Sequence, residues 1–264
     1  MEWWLGYAAI GAAVGFFAGL LGIGGGAIIV PLLVMLFEAQ GLPKAQIMHL
    51  AVGTGMASIL FTSVSSMRAH AVRGAVRWDL AWSLTPGILV GGLLGSSLTV
   101  WISTRVFAAM FTIVVFFAAT NILIDRKPKP SRPLPGGLGA MLVGLVIGFV
   151  SSLAAMGGAF MTIPFALYCN VPMLQAIGTA AIVGFPIALA GSVGFIVAGW
   201  GQMGLPPYSV GYVYLPAMLG ITFASVLTAP LGAAAAHRLP TKRLKQAFAL
   251  LLYALAAKML FSLW

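Results

Sequence analysis

Acidic side chains are nearly missing from this chain. Glu2, Glu38, Asp79 and Asp125 are the four in 264 residues, and charged residues of both signs make up 7%. A soluble domain carries about 25%, so this composition cannot clothe a water-soluble globule. Cysteine is as scarce. Cys169 stands alone, which excludes an internal disulfide and a cysteine-built metal centre and leaves a small hydrophobe for a buried position. No nucleotide-binding motif is present, and no apolar run holds a nucleophile–base pair or paired acids, so the residues give no grounds for an enzyme, a cofactor or a bound metal.

What fills the chain instead is hydrocarbon. Hydrophobic residues make up 61% and the mean hydropathy is +1.06, the composition of a polytopic membrane protein. The net charge of +10 comes largely from three clusters: Arg68, Arg73 and Arg77; Arg126, Lys127, Lys129 and Arg132; and Arg238, Lys242, Arg243 and Lys245. Each cluster lies in a polar gap too short to hold a nucleic-acid domain. They read as the Lys and Arg excess of cytoplasmic loops. Trp3, Trp4 and Trp264 at the two ends of the chain read as interfacial anchors. No basic segment precedes the apolar residues 5–21, so they read as a span and not as a cleaved signal.

Apolar runs fall at about 5–22, 26–37, 47–66, 80–101, 106–124, 137–155, 159–169, 176–199, 211–236 and 246–263. Most reach the ~20 residues that cross a bilayer. Runs 26–37 and 159–169 would rise only about 16–18 Å as helices, roughly half the hydrocarbon thickness. These two occupy matching places in a repeat. Gly15-Phe16 matches Gly148-Phe149, Gly24-Gly25 matches Gly157-Gly158, and Pro31 matches Pro164; "AVGT" at 51–54 matches "AIGT" at 176–179. Pro86 pairs with Pro216, and "STRVFAAMF" at 103–111 with "PTKRLKQAF" at 240–248. The expected halves are 1–124 and 137–264, joined by a basic, proline-rich linker at 125–136.

Charge orients the halves. With the linker in the cytoplasm, the arginine-bearing loop at 67–78 is also inside, while its counterpart at 199–209 carries no charge and reads as outside. The basic loop at 237–245 is inside, and its partner near 102–105 has only Arg105. Equivalent loops thus lie on opposite faces. The expected fold is all-α and polytopic, with two inverted-topology repeats, each a Gly-broken or re-entrant helix pair plus three spanning helices. Runs 5–22 and 26–37 are compatible with two crossings or with a hairpin that returns to one face. Both termini are expected outside.

The interruptions carry the functional reading. Glycine costs about 1 kcal/mol of helix propensity relative to alanine, yet Gly24, Gly25 and Gly26 break the first run and Gly157 and Gly158 break the second. A helix broken within lipid frees backbone N–H groups that need protein, water or a ligand. Helix N-termini carry about half a positive charge and welcome anions. Inverted repeats with interrupted segments at matching places mark the binding site of a secondary transporter. Close helix packing is the competing use of small residues. Hydroxyls that would complete a site are Ser151, Ser152, Thr162 and the repeat-related Thr54 and Thr179, although a Ser or Thr commonly bonds back to its own helix. His49 is the candidate for proton coupling. Glu38 and Lys44 read as solvated connection residues, Arg68, His70 and Asp79 as cytoplasmic loop, and Lys258, aligned with Asn121, as a snorkelling cation. The "GIGGGA" echo of a dinucleotide fingerprint lacks the strand it would require.

At these residues the chain resembles the sulfite exporter TauE/SafE family of membrane permeases. The resemblance rests on "GFFAGLLGIGGGAIIVPLL" and "GFVSSLAAMGGAFMTIPFAL", on the "AVGT/AIGT" pair, and on "RGAVRWDLAWSLTPGILVGGLLGSSL". The second turn departs from the fuller glycine form at Ala155, Met156 and Ala159. The resemblance implies transport of sulfite or small organosulfonates such as sulfoacetate across the cell (inner) membrane. The expected partners are a small anion and the bilayer, with no nucleic acid; substrate, direction, coupling ion and oligomeric state stay open. The alternative is an anion or small-solute channel built from inverted half-helices, against which stands the missing Asn-Pro-Ala box of aquaporins.

Overall fold

A computed structural model describes residues 2–21, 25–72, 74–124, 132–236 and 241–263. Gly24, Arg73, Arg126, Lys127, Lys129, Arg238 and Trp264 lie outside the described residues. The described chain is helical apart from short turns and one small hairpin. In order, α1 is Glu2–Leu21, α2 Gly26–Ala39, α3 Ile47–Val72, α4 Trp78–Leu98 and α5 Thr104–Ile124, with a 3-10 turn at Thr99–Trp101. Then come α6 Gly137–Leu153, α7 Ala159–Tyr168, α8 Met173–Gly199, α9 Leu215–Ala236 and α10 Thr241–Leu263. Strands β1 (Ser209–Val210) and β2 (Val213–Tyr214) pair antiparallel just before α9. Among the described residues, Ile47–Val72, Trp78–Trp101, Thr104–Ile124 and Met173–Gly199 are long and apolar enough to cross a membrane. The remaining helices contribute shorter apolar stretches, α2 and α7 among them.

Glycines set how closely these helices approach. A Cβ at Gly11 or Gly15 of α1 would overlap the carbonyls of Ile221 and Ser225 on α9. A Cβ at Gly144 or Gly148 of α6 would overlap those of Leu84 and Ile88 on α4. Lipid supplies no hydrophobic drive for helices to associate, so backbone-to-backbone approach and its dispersion energy take that role. α1 therefore packs along α9, and α6 along α4. Here Leu84 and Ile88 stand where Ile221 and Ser225 stand, a register that sets Pro86 against Phe223. The sequence pairing of Pro86 with Pro216 is not the one the packing uses, because the contact is specified by small residues and not by the prolines.

α3 and α8 cross at the centre and run antiparallel. Gly53 lies against Phe195, Met56 against Gly191, and Ala75, just beyond α3, against Gly178. Thr120 and Phe116 of α5 meet Tyr253 of α10. The connections collect at two ends. At one, Gln46 Nε2 donates to the Met203 carbonyl at 2.9 Å, Thr104 to that of Ala45, and His49 Nε2 lies 2.8 Å from the Thr99 carbonyl. At the other, Ala75 and Arg77 meet Gly178 and Thr179.

Two sequence placements move. Glu38 belongs to the last turn of α2, half-buried with Oε1 shielded, rather than to a solvated connection. Asp79 opens α4, where Arg77 Nε donates to it at 2.9 Å; Arg68 and His70 lie in the closing turns of α3. Cys169 is buried, as its apolar reading requires.

A leucine at Gly144 meets the backbone of Leu84 and Ile88, which cannot yield as a flexible side chain would. Overpacking costs about 1–3 kcal/mol or more, so Gly144→Leu is expected to reduce the monodisperse fraction and melting temperature in detergent. Gly136→Leu, where a side chain meets open space, is expected to leave both unchanged.

Candidate functional site

The two glycine turns meet in the middle of the molecule. α2 starts at Gly26 from an N-cap at Gly25, and α7 starts at Ala159 from an N-cap at Gly158; neither cap is made by a side chain. The amides of Ile29 and Thr162 close the first turns on the carbonyls of Gly25 and Gly158, at 3.0 and 2.9 Å. Ile28 N shares the Gly25 carbonyl at 3.1 Å, and the N–H groups before these have no partner within their helices. A Cβ at Gly26 would overlap the Ala155 carbonyl and fall 2.7 Å from Ile59, halfway along α3. Gly158 faces Val183 and Ile187, both 2.9 Å from its Cβ position and halfway along α8. Both turns are thus at mid-span depth.

The second turn is built around a left-handed residue. α6 ends in a Schellman motif: Met156 N donates to the Ser151 carbonyl at 3.1 Å while Ala155 takes φ +46°. Glycine usually fills that left-handed position, and alanine there costs about 1 kcal/mol. The strain delivers the Ala155 carbonyl to Gly26 and keeps the turn against its counterpart. Gly25, Gly26 and Gly158 are buried, and Gly157 is half-buried.

The candidate hydroxyls divide into three groups. Ser151 and Thr162 are fully buried, and among the described residues neither hydroxyl has a hydrogen-bond partner. Thr162 Oγ1 lies 3.3 Å from the Cβ position of Gly158. Leaving a buried hydroxyl unpaired costs about 1–3 kcal/mol, so these two stand out from the ordinary fate of membrane Ser and Thr, which is to bond their own helix. Ser152 meets that fate, donating to the Phe149 carbonyl at 2.9 Å and facing Gly95 of α4.

Thr54 and Thr179 form the third group. Each accepts a backbone N–H from a segment far along the chain: Tyr214 N bonds Thr54 Oγ1 at 2.9 Å, and Arg77 N bonds Thr179 Oγ1 at 3.0 Å. The preceding glycines admit the same two segments, since Cβ atoms at Gly53 and Gly178 would overlap the carbonyls of Tyr212 and Ala75. One joint is therefore built twice, near opposite ends of the bundle. Its partners Ala75, Arg77, Tyr212 and Tyr214 were missed in the sequence, where nothing links a threonine to an amide 160 residues away.

His49 stands apart from the turns. It is ten residues before Ile59, about 15 Å of helix rise, and packs between Phe107 and Tyr212 at 5.2 and 5.0 Å between ring centroids. The bond to the Thr99 carbonyl places the proton on Nε2, and Nδ1 is buried without a partner. A cleft of about 340 Å³ opens between α6 and α7, lined by Leu142, Val143, Val146, Ile147, Met161 and Phe165. It offers an anion nothing.

A multi-helical bundle with apolar outer faces and two interrupted helices meeting at mid-depth belongs to the class of multi-pass membrane transporters. The comparisons agree and add the family. The model of the sulfite exporter TauE/SafE family matches residues 7–259, and the chain belongs to that family. A probable membrane transporter protein of Haemophilus influenzae is 39% identical over 254 residues, covering 95% of each chain. Similarly named proteins of Methanocaldococcus jannaschii and Bacillus subtilis are 25% and 26% identical, covering 89% and 71% of this chain and 87% and 76% of their own.

The two joints have a measurable consequence. Thr54→Val and Thr179→Val each strand a backbone N–H, at a cost of about 1–3 kcal/mol. Each is expected to lower the melting temperature in detergent, whereas Thr→Ser at either position retains the acceptor and most of the stability.

Proposed function

We propose that the protein is a secondary transporter of small sulfur oxyanions, sulfite or organosulfonates, working by alternating access between two inverted repeats at 1–124 and 137–264. The observation that carries this reading is the meeting of the α2 and α7 N-termini at mid-span. Both lack side-chain caps, and Ser151 and Thr162 supply unpaired hydroxyls beside the second. Helix N-termini attract anions through aligned N–H groups and the dipole, and hydroxyls donate without the desolvation cost of a buried cation.

The antiparallel crossing of α3 and α8, which carry the matching "AVGT" and "AIGT", supports inversion of the halves. So does the twofold use of the Gly-Thr joint. The depth of both turns supports re-entrant hairpins rather than full crossings. Arg68 and Arg77 at the end that holds Thr179 support a cytoplasmic assignment for that end, with the 125–136 linker on the same side.

Closed packing favours a carrier over an open channel. Gly26 lies against Ala155, and the joints at both ends are made, so solute reaches the turns only when the halves separate. Sulfur chemistry is supported by the family description alone, since the relatives' names specify no solute.

The test is uptake into proteoliposomes of sulfite, small sulfonates and carboxylates, with and without a proton gradient. Saturable anion uptake with counterflow is the expected result, lost at least tenfold in a Gly158→Val protein that still elutes as a monodisperse species. Flux that never saturates and shows no counterflow would establish a channel. Transport of cations would overturn the reading.

A further inference from the structure

The two turns match in position but not in chemistry. Along the repeat, Thr162 of α7 corresponds to Ile29 of α2, and Ser151 to Ala18. On the crossing helices, counted from the "AVGT" and "AIGT" pair, Gly184 of α8 corresponds to Ile59 of α3. The contacts respect this correspondence. Ile59 fills the space beside Gly26, with Cδ1 2.7 Å from its Cβ position. At Gly184 the nearest atom to a built Cβ is Gly158 N, 3.9 Å away. The second turn therefore leaves a methyl-sized space between Gly184 and the Gly158 N–H, a niche that Thr162 Oγ1 flanks at 3.3 Å from the Cβ position of Gly158. The hydroxyl is fully buried and has no partner among the described residues. At the first turn, isoleucine replaces both the hydroxyl and the space.

We infer that the second turn alone holds the charged end of the substrate, in the niche of Gly158, Thr162 and Gly184, while Ile29 and Ile59 give the first turn an apolar wall that rejects a second charged end. The inference rests on the transporter reading above and deepens it. Preferred substrates are small anions with one oxyanion group and at most a short apolar body. Solutes charged at both ends are disfavoured, sulfoacetate with its sulfonate and carboxylate among them, because one charge would be desolvated against isoleucine without a partner. Thr162 and Gly184 are the specificity-determining positions.

Ethanesulfonate and ethane-1,2-disulfonate, which share a carbon skeleton and differ in the second charge, are the probes. For the unaltered protein in proteoliposomes, kcat/KM for the monosulfonate is expected to exceed that for the disulfonate at least tenfold. Thr162→Val is expected to raise KM for ethanesulfonate about tenfold, the range for a lost bond to a charged group, and Thr162→Ser to restore it. Gly184→Ala has room for its methyl group without displacing a neighbour, so the fold is retained while the niche fills and KM rises. Ligand-induced thermal stabilisation in detergent, read in parallel, is expected to disappear in Thr162→Val and Gly184→Ala while the melting temperature without ligand does not fall. Ile29→Thr combined with Ile59→Ala is expected to narrow the discrimination against the disulfonate.

Equal handling of the two sulfonates by the unaltered protein would overturn the inference and leave the transporter reading standing. So would an unchanged KM in Thr162→Val or Gly184→Ala. Absence of any saturable anion uptake would overturn the transporter reading and this inference together.

Discussion

Hydrocarbon leaves a peptide group no partner outside the protein, and that constraint organises the molecule. A helix interrupted at mid-depth must be enclosed by protein. The two interruptions here are enclosed by each other and by α3 and α8. Gly26 receives the Ala155 carbonyl, Ile59 closes one flank, and Val183 and Ile187 close the other. The surrounding glycine contacts of α1 on α9 and of α4 on α6 bring the outer helices close enough to complete that enclosure. Loosening them would admit lipid toward unpaired backbone.

The same constraint explains why small residues dominate where a soluble protein would use large ones. Leucine against leucine gains little when the alternative neighbour is an acyl chain. Contact gains most where backbones approach within van der Waals distance. The large apolar side chains are accordingly divided between the protein interior, such as Phe37, Phe107 and Phe195, and the outer face, such as Phe117, Phe223 and Phe261.

Much of this was legible in the sequence, and what was not has a physical cause. Composition gave the membrane class, and the glycine clusters gave both interruptions, because a glycine in an apolar run signals close approach or a break whatever surrounds it. The matching "AVGT" and "AIGT" marked the right positions for a different use. A threonine's appearance does not reveal whether it faces a solute or the amide of Tyr214 or Arg77, since both are hydrogen-bond partners of the same kind. Pro86 and Pro216 suggested a register that glycine packing overrode. Glu38 was read as loop because charge is scarce in apolar runs, yet the last turn of a helix tolerates it near the end of a span. Ser151 and Thr162 were picked out alongside Ser152, and only their missing partners separate them from it.

The doubled joint bears on how such a molecule can move. Thr54 with Tyr214, and Thr179 with Arg77, are the same bond between equivalent elements at opposite ends. Under the transport reading, opening toward either face breaks one bond of one kind and leaves the other made, so the two open forms start from near-equal cost. Two-state proteins respond strongly to ligands when their states differ by only a few kcal/mol. The flanking residues then set the bias. Beside the Thr54 joint, His49 is lodged between Phe107 and Tyr212 with its Nε2 proton on the Thr99 carbonyl. The corresponding position on α8 is Leu174, which is exposed. The end that holds His49 is therefore fastened by a buried contact for which the exposed Leu174 offers no equivalent. Under the transport reading, joints repeated in the backbone are thereby weighted by side chains at the His49 end.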